Sequence, residues 1–290
     1  MNPNAIQCIV APLMKIPLNG MLTTVSILAA ALYLIAAVYQ GAYVFGQITR
    51  PPRHALMLSI GFAAVTVHGI AVYIGVYQQH ALDLGFYRVL ALIAWFCALI
   101  ALLMTFRRPS DNLLALSAPL IIMALLVALL TPPSASNEFY HFTSAGMALH
   151  ILSSILAYAV LSIATLQALV LAVQERLLKH HRFSGLLRTL PPLQTMEAML
   201  FELIFVGVIM LTVSIASGAI FIDNIFAQHL AHKTVLSILA WVLFTTLLWG
   251  RYQLGWRSST AVRWTISGFT LLMLGFLGSK FVLEIILQRA

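Results

Sequence analysis

The chain has 290 residues, of which 61% are hydrophobic and only 8% are charged, and its mean hydropathy is +0.98. Soluble domains carry roughly 25% charged residues, so this composition excludes an ordinary soluble protein and predicts an integral membrane protein. The formal net charge of +8 comes from basic residues scattered through short connections. This scatter argues against a nucleic-acid partner and favours the lipid bilayer and its anionic headgroups. The two cysteines, Cys8 and Cys97, are too few for a disulfide framework.

Eight apolar stretches are long enough to cross a bilayer, which takes about 20 helical residues. They are predicted to be helices, because single apolar strands would leave backbone groups unpaired in lipid and the alternating pattern of a barrel is missing. We therefore predict an all-α polytopic transmembrane helix bundle that forms one integral membrane domain over residues 1–290. The predicted spans are residues 21–45, 54–77, 86–106, 113–130, 145–173, 200–222, 234–249 and 264–286.

Lys and Arg are distributed unevenly between the two sides of this predicted bundle. The connections after the odd-numbered spans hold eleven: Arg50, Arg53, Arg107, Arg108, Arg176, Lys179, Arg182, Arg188, Arg251, Arg257 and Arg263. The other side holds five: Lys15, Arg88, Lys233, Lys280 and Arg289. Because cytoplasmic loops carry the excess of basic residues, we predict these odd connections in the cytoplasm and both termini on the outer, periplasmic side. The first span is expected to be retained, since it fits no cleaved signal peptide.

Histidines concentrate toward the outer ends of the spans. His68 lies about two thirds of the way outward in the second span, His150 lies near the start of the fifth, and His232 stands at the mouth of the seventh. Behind His150, a polar stripe follows at steps of four residues: Ser154, Tyr158 and Ser162. Side chains at this spacing share one helix face, which is expected to turn toward the bundle interior.

Two imidazoles on different helices at similar depth are the arrangement that a bis-histidine haem needs, because iron takes one nitrogen ligand from each side of the porphyrin. The positions of His150 and His232, near the outer ends of two different predicted spans, satisfy this condition. For each of them the alternative is an interfacial histidine bonded to water or to a carbonyl group, and for His68 a structural hydrogen bond. The other external histidines are interpreted in that simpler way: His80, His141 and His229. The sequence contains no phosphate loop, nucleophile elbow or H-E-x-x-H helix, so it shows no hydrolytic machinery.

Four long segments carry a family resemblance. They are LHILSSILAYAVLSIATLQALVLAVQERLLK (149–179), LPPLQTMEAMLFELIFVGVIMLTVSIASGAIF (190–221), HLAHKTVLSILAWVLFTTLLWGRYQLGWR (229–257) and RWTISGFTLLMLGFLGSKFVLE (263–284). They resemble the CcsA-type cytochrome c assembly proteins, and within that family the short YpjD/HemX-like branch. The segment ALDLGFYRVLALIAW (81–95) extends the resemblance toward the N-terminus, so that it is closest over residues 81–290. The resemblance implies a bacterial inner-membrane bundle whose larger relatives pass haem to the outer face for attachment to apocytochrome c.

The resemblance also implies roles for individual residues. His150 resembles the external histidine that serves as a haem ligand in these proteins. The tryptophan-rich loop that presents haem in the larger relatives corresponds here to residues 222–233, which contain no tryptophan, and their second external histidine is replaced around Ser279 and Lys280. His232 as the partner of His150 is our own inference. We therefore expect no ligase enzyme, but a haem-handling protein of cytochrome c-type biogenesis that binds or relays haem b near the outer face.

In this hypothesis His150 and His232 are the axial ligands of the haem iron, His68 is a supporting or alternative ligand, and cytochrome c assembly proteins are the partners. Two other functions fit the sequence. The first is a transporter of haem or another small amphipathic molecule, with a polar pathway toward Glu202; we find no internal repeat that would support it. The second is a cofactor-free regulatory or interaction protein of tetrapyrrole metabolism, as the HemX side of the resemblance suggests, acting through the basic connection 174–194.

Overall fold

The computed structural model describes residues 3–44, 47–48, 50, 52–78, 81–83, 85–107, 113–130, 139–140, 145–180, 190–221 and 231–280. This part of the chain is a bundle of helices with three very short strands. The helices are α1 Pro3–Val44, α2 His54–Val76, α3 Phe86–Arg107, α4 Leu113–Leu130, α5 Ala145–Lys179, α6 Leu193–Phe221, α7 Ala231–Leu254 and α8 Ser258–Lys280. The prediction of a polytopic helical membrane bundle is confirmed.

Seven of the described helices, α1 to α7, are long and apolar enough to cross a membrane. The eighth predicted span, 264–286, overlaps α8 but runs past residue 280, where the described part of the chain ends. Helices α1, α5 and α6 are longer than their predicted spans, because hydropathy marks the membrane-embedded part of a helix and not its polar ends. The side of the membrane on which each connection lies stays a prediction.

The helices pack as two groups of four, α1–α4 and α5–α8, which meet mainly where α3 contacts α5. Helix α5 lies at the centre and packs most extensively against α6. Four of its alanines are fully buried: Ala157, Ala159, Ala164 and Ala168. Small side chains at helix interfaces let two backbones approach closely, which is the main source of helix association in lipid. The pairing of α5 with α6 forms one wall of the candidate site.

A small antiparallel sheet in the order β1-β2-β3 joins β1 Tyr77–Gln78, β2 Ala81–Asp83 and β3 Phe139–Tyr140. Strands of two or three residues are too short to show an alternating pattern, so sequence analysis did not predict them. Asp83, at the end of β2, accepts a hydrogen bond from the Gly85 backbone N–H at 2.9 Å, and its carboxylate lies 3.8 Å from Arg88 Nε. The sheet and this carboxylate together fix the point at which α3 begins.

The opposite end of the bundle is held by an ion pair that the sequence did not predict. Arg251 Nη1, near the end of α7, lies 2.5 Å from Glu197 Oε1 in the first turns of α6. The same guanidinium donates to the Trp256 carbonyl at 3.2 Å and lies 4.7 Å above the centre of the Phe201 ring. Glu197 lies near the positive end of a helix, which favours a carboxylate; its partner on α7 is a tertiary feature.

Candidate functional site

An open cavity of about 410 Å³ lies between α5, α6, α7 and α8. It lies where α5 and α7 begin and α6 and α8 approach their ends, which is the predicted outer side. Its lining consists of His150, Ser154, Tyr158, Leu211, Ser214, Ile215, Gly218, Ala219, Lys233, Thr234, Ser237, Ile238, Gly275 and Phe276. Small-molecule sites range over roughly 300–1,000 Å³ and combine apolar walls with a few polar groups, and this cavity has both properties.

His150 is held in one orientation by the neighbouring helix. Its Nδ1 lies 2.8 Å from the backbone carbonyl oxygen of Ser214 on α6. A carbonyl can only accept, so Nδ1 carries the proton and donates it. In a neutral imidazole the other nitrogen, Nε2, then keeps its lone pair and can bind a metal or accept a hydrogen bond. This contact fits the predicted alternative of a histidine bonded to a carbonyl group, and it is also the usual support of a metal-ligating histidine.

A network of serines surrounds this contact. The Ser154 hydroxyl donates to the His150 carbonyl at 2.6 Å and lies 2.6 Å from the Ser214 hydroxyl. Since Ser154 has one proton and uses it within α5, the Ser214 hydroxyl is the donor across the helix pair. Ser217 Oγ adds a longer bond of 3.1 Å to the Ser214 carbonyl. These bonds connect α5 to α6 at two adjacent points and fix the depth and direction of the His150 ring.

The polar stripe that sequence predicted behind His150 continues to Tyr158, and its inward orientation is confirmed for Ser154 and Tyr158. The Tyr158 hydroxyl donates to the Leu272 carbonyl on α8 at 3.1 Å, and its ring lies 5.2 Å from the Phe276 ring. Ser162, one turn deeper, donates to the Tyr158 carbonyl at 2.7 Å. The stripe therefore ties α5 to α8 and places aromatic rings beside the polar end of the cavity.

His232 and Lys233 differ in their placement although they are neighbours in sequence. Lys233 lines the cavity, whereas His232 is exposed at the start of α7 and is not among the lining residues. At about 100° per residue, the face of α7 formed by Lys233, Thr234, Ser237 and Ile238 points well away from the direction of His232. The structure brings His150 to the cavity together with Lys233; His232 as second axial ligand stays a prediction.

His68 lies in the other helix group, away from this cavity. It is completely buried in α2, and its Nδ1 lies 3.3 Å from the Tyr33 hydroxyl on α1. The His68 and Tyr33 rings meet edge to face, with their centres 5.8 Å apart. The second ring nitrogen of His68, Nε2, makes no hydrogen bond of regular geometry. The backbone of Ala91 lies near the His68 ring. The structure thus supports the hydrogen-bonded interpretation of His68 and does not bring it to His150. Its role as a supporting ligand stays a prediction.

Several predicted features lie outside the described residues, namely His80, His141, His229 and the stretch 222–230. Within the described part of the chain, no group of three or more His, Cys, Asp or Glu side chains could hold a metal ion. A haem differs from such a site, because its porphyrin supplies four nitrogens and the protein needs to supply only axial ligands. Among the described residues that line the cavity, His150 is the one that offers an imidazole nitrogen.

Three residues that line the cavity were not predicted from the sequence. Ser214 was not among the predicted site residues, but its carbonyl and hydroxyl both bond to α5. Thr234 and Ser237 line the cavity on the same face of α7 as Lys233. Ser237 lies four residues after Lys233 and three after Thr234, and this spacing is the signal that could have found them, since such residues share one face of a helix.

The fold and the cavity define a multi-pass membrane protein with a cavity between four of its helices. The model of the family Cytochrome C assembly protein matches residues 84–287, which is more than half of the chain. The chain belongs to this family. The match includes α3 to α8, and therefore every helix that lines the cavity; the resemblance inferred from sequence is confirmed.

Three curated relatives extend this comparison. The chain is 34% identical over 170 residues to the Inner membrane protein YpjD of Escherichia coli strain K12, covering 58% of this chain and 64% of that protein. It is 33% identical over 141 residues to an uncharacterized 28.8 kDa protein of Azospirillum brasilense, covering 48% and 52%. It is 30% identical over 138 residues to Protein HemX of Brevibacillus brevis, covering 47% and 51%. The chain thus spans about half to two thirds of the length of these relatives.

Proposed function

We propose that this protein handles haem in cytochrome c-type biogenesis, binding or relaying haem b in the cavity between α5, α6, α7 and α8. The observation that carries the proposal is the hydrogen bond from His150 Nδ1 to the Ser214 carbonyl. It leaves Nε2 of a cavity-lining imidazole as a Lewis base. Family membership supplies the cytochrome c assembly context, and the similarity to an inner membrane protein supports the bacterial inner membrane as the location.

The lining of the cavity fits the chemistry of haem. Leu211, Ile215 and Ile238 provide apolar walls for a macrocycle, and the Phe276 ring provides a flat one. Lys233 at the rim supplies a cation of the kind that pairs with the carboxylates of haem propionates. When bound, haem would supply an iron centre for axial ligation. The residues of the protein orient the ligand, exclude water and place a positive charge at one end.

His150 and His232 have different places in this proposal. His150 binds from inside the cavity, with its ring held by α6. His232 precedes a lining residue by one position, so it can reach the iron only if the first turn of α7 rotates inward by about 100°. The need for this rotation favours a relay, in which His232 would bind and release haem, over a site in which both histidines would hold haem permanently. We propose accordingly that the chain binds and passes on haem, and does not itself catalyse its attachment.

The test is an absorption spectrum of the full chain, purified in mild detergent after expression with a haem precursor, in oxidised and dithionite-reduced form. His150→Ala is compared with His232→Ala, and His54→Ala, near the predicted cytoplasmic end of α2, is the matched control. We expect a b-type spectrum that His150→Ala abolishes and His54→Ala leaves unchanged. A change of spin state in His232→Ala, with haem retained, would identify His232 as the exchangeable ligand.

Two outcomes would overturn the proposal. A folded wild-type protein without haem would favour the cofactor-free regulatory function. A b-type spectrum of wild-type shape and intensity in His150→Ala would place haem elsewhere in the chain, and His68→Ala would then become the next variant. Folding is checked for every variant by a single symmetric peak in size-exclusion chromatography and by an unchanged helical circular dichroism signal.

A further inference from the structure

A second cavity, of about 290 Å³, lies at the other end of α5, between its last turns and the first turns of α8. It is lined by Ala172, Glu175, Arg176, Lys179, His180, Ser259, Val262 and Arg263. His150 and Arg176 are 26 residues apart on one helix, which corresponds to about 39 Å. This cavity is therefore separate from the candidate haem site, and nothing in the proposed function uses it.

The charges around this cavity are strongly unbalanced. Three permanent cations, Arg176, Lys179 and Arg263, face one carboxylate. That carboxylate, Glu175, is already engaged: it lies 2.8 Å from Lys179 Nζ and accepts a hydrogen bond from Ser258 Oγ at 2.5 Å. Among the described residues, Arg176 and Arg263 form no ion pair. Two guanidinium groups on different helices are thus left without an anion beside a cavity.

The basic side chains of the lining are of the types that bind phosphate groups. Guanidinium groups present a planar fork that binds two phosphate oxygens at once, and an ammonium such as that of Lys179 adds a point charge. Helix α8 begins at this cavity, and Ser259 in its first turn is part of the lining. Unpaired backbone N–H groups at a helix start also favour an anion. Two guanidinium groups, an ammonium that is shared with Glu175, and the start of α8 therefore border one volume.

The depth of the cavity matches that of lipid headgroups. Helix α5 has 35 residues, so it is about 52 Å long, whereas the hydrocarbon core of a bilayer is about 30 Å thick. When the polar stripe near the start of α5 is placed at one membrane surface, the last turns of α5 lie beyond the hydrocarbon core at the other surface. Ala172 and Val262 provide an apolar side to the cavity, toward which a lipid glycerol and acyl chain could extend. The cytoplasmic leaflet is enriched in anionic lipids, and this end of the bundle is predicted to face the cytoplasm.

We propose that Arg176, Lys179 and Arg263 bind a phosphate group in this cavity. The phosphate belongs either to the headgroup of an anionic phospholipid or to a free phosphate compound. Bound there, it bridges the end of α5 and the start of α8, and so connects two of the four helices that also form the cavity at the opposite end.

Native mass spectrometry of the full chain in mild detergent tests this site. The probes are short-chain phosphatidylglycerol, short-chain phosphatidylcholine and inorganic phosphate, each at the same ionic strength. We expect phosphatidylglycerol to bind about tenfold more tightly than phosphatidylcholine. The double variant Arg176→Gln/Arg263→Gln should lose about tenfold in affinity for it, the expected scale for losing a charge-assisted contact. Both side chains are exposed, so their loss leaves the core unchanged.

Two further variants separate binding in the cavity from general attraction to a basic surface. Arg107→Gln removes one exposed basic residue at the end of α3, outside this cavity, and should leave the affinity unchanged. Glu175→Gln removes the only carboxylate of the lining and should tighten binding severalfold, whereas a purely structural role of Glu175 would weaken it.

Competition between inorganic phosphate and phosphatidylglycerol identifies the source of the phosphate. Inorganic phosphate that competes with phosphatidylglycerol and depends on the same two arginines would identify a free phosphate compound; failure to compete would identify the lipid. The proposal is overturned if phosphatidylglycerol shows no preference over phosphatidylcholine and phosphate does not bind. It is also overturned if Arg107→Gln weakens binding as much as the double variant.

Discussion

The contact between Gly207 on α6 and Leu161 on α5 controls how closely the two helices that hold His150 can approach. A Cβ atom at position 207 would lie 2.5 Å from Leu161 Cδ2 and 2.7 Å from its Cγ. Leu161 is completely buried, so its side chain has no free space into which it can turn. Gly207→Ala must therefore separate the helices or displace a packed leucine.

The magnitude follows from two opposing contributions. Overpacking by a methyl group costs about 1–3 kcal/mol. Alanine is more favourable than glycine inside a helix by about 1 kcal/mol. We expect Gly207→Ala to lower the free energy of unfolding by about 0–2 kcal/mol. Gly41→Ala is the matched control, because no atom lies within 4 Å of a Cβ at that position of α1. It should leave stability unchanged or raise it by up to about 1 kcal/mol.

Equilibrium unfolding by sodium dodecyl sulfate in mixed micelles, followed by circular dichroism, measures both variants. The decisive comparison repeats Gly207→Ala in a Leu161→Ala background, where the clashing atoms are absent. There the substitution should become neutral or stabilising, which gives a coupling energy of about 1–3 kcal/mol. If Gly207→Ala has the same cost in both backgrounds, this contact does not set the distance between α5 and α6, and the reasoning is wrong.

Three further predictions are tested by the same unfolding measurement. Glu197→Gln leaves Arg251 with a neutral partner and should cost about 1–2 kcal/mol, less than truncation to alanine; a cost near zero for Glu197→Gln would show that the charge is unimportant. Trp241→Phe removes the 2.8 Å hydrogen bond to Thr212 that joins α7 to α6, and should cost about 0.6 kcal/mol, the mean for such bonds in membranes; a loss above about 2 kcal/mol would indicate a packing role instead. Tyr33→Phe removes the hydroxyl beside the buried histidine of α2 and should cost about 1 kcal/mol, whereas an unchanged stability would show that this 3.3 Å contact contributes nothing.

Much of the fold could be predicted because apolar length is a local property. The fourth predicted span coincides with α4, and the third differs from α3 by one residue. The fifth ended too early, since α5 continues through a polar last turn supported by the Glu175–Lys179 pair. The small sheet escaped prediction because its strands are too short to leave a pattern. Local rules therefore predicted which segments enter the membrane, but not where each helix ends in water.

The sequence by itself determined that this is a membrane bundle, that His150 begins a polar stripe, and that Ser154 and Tyr158 follow on the same face. These conclusions depend only on composition and on the helical repeat within one segment. Only the tertiary structure decided that the Ser214 carbonyl, 64 residues away, fixes the His150 ring and that Lys233, not His232, lines the cavity. The physical reason is that packing between helices sets their rotation about their own axes, and a change of one residue turns a side chain by about 100°.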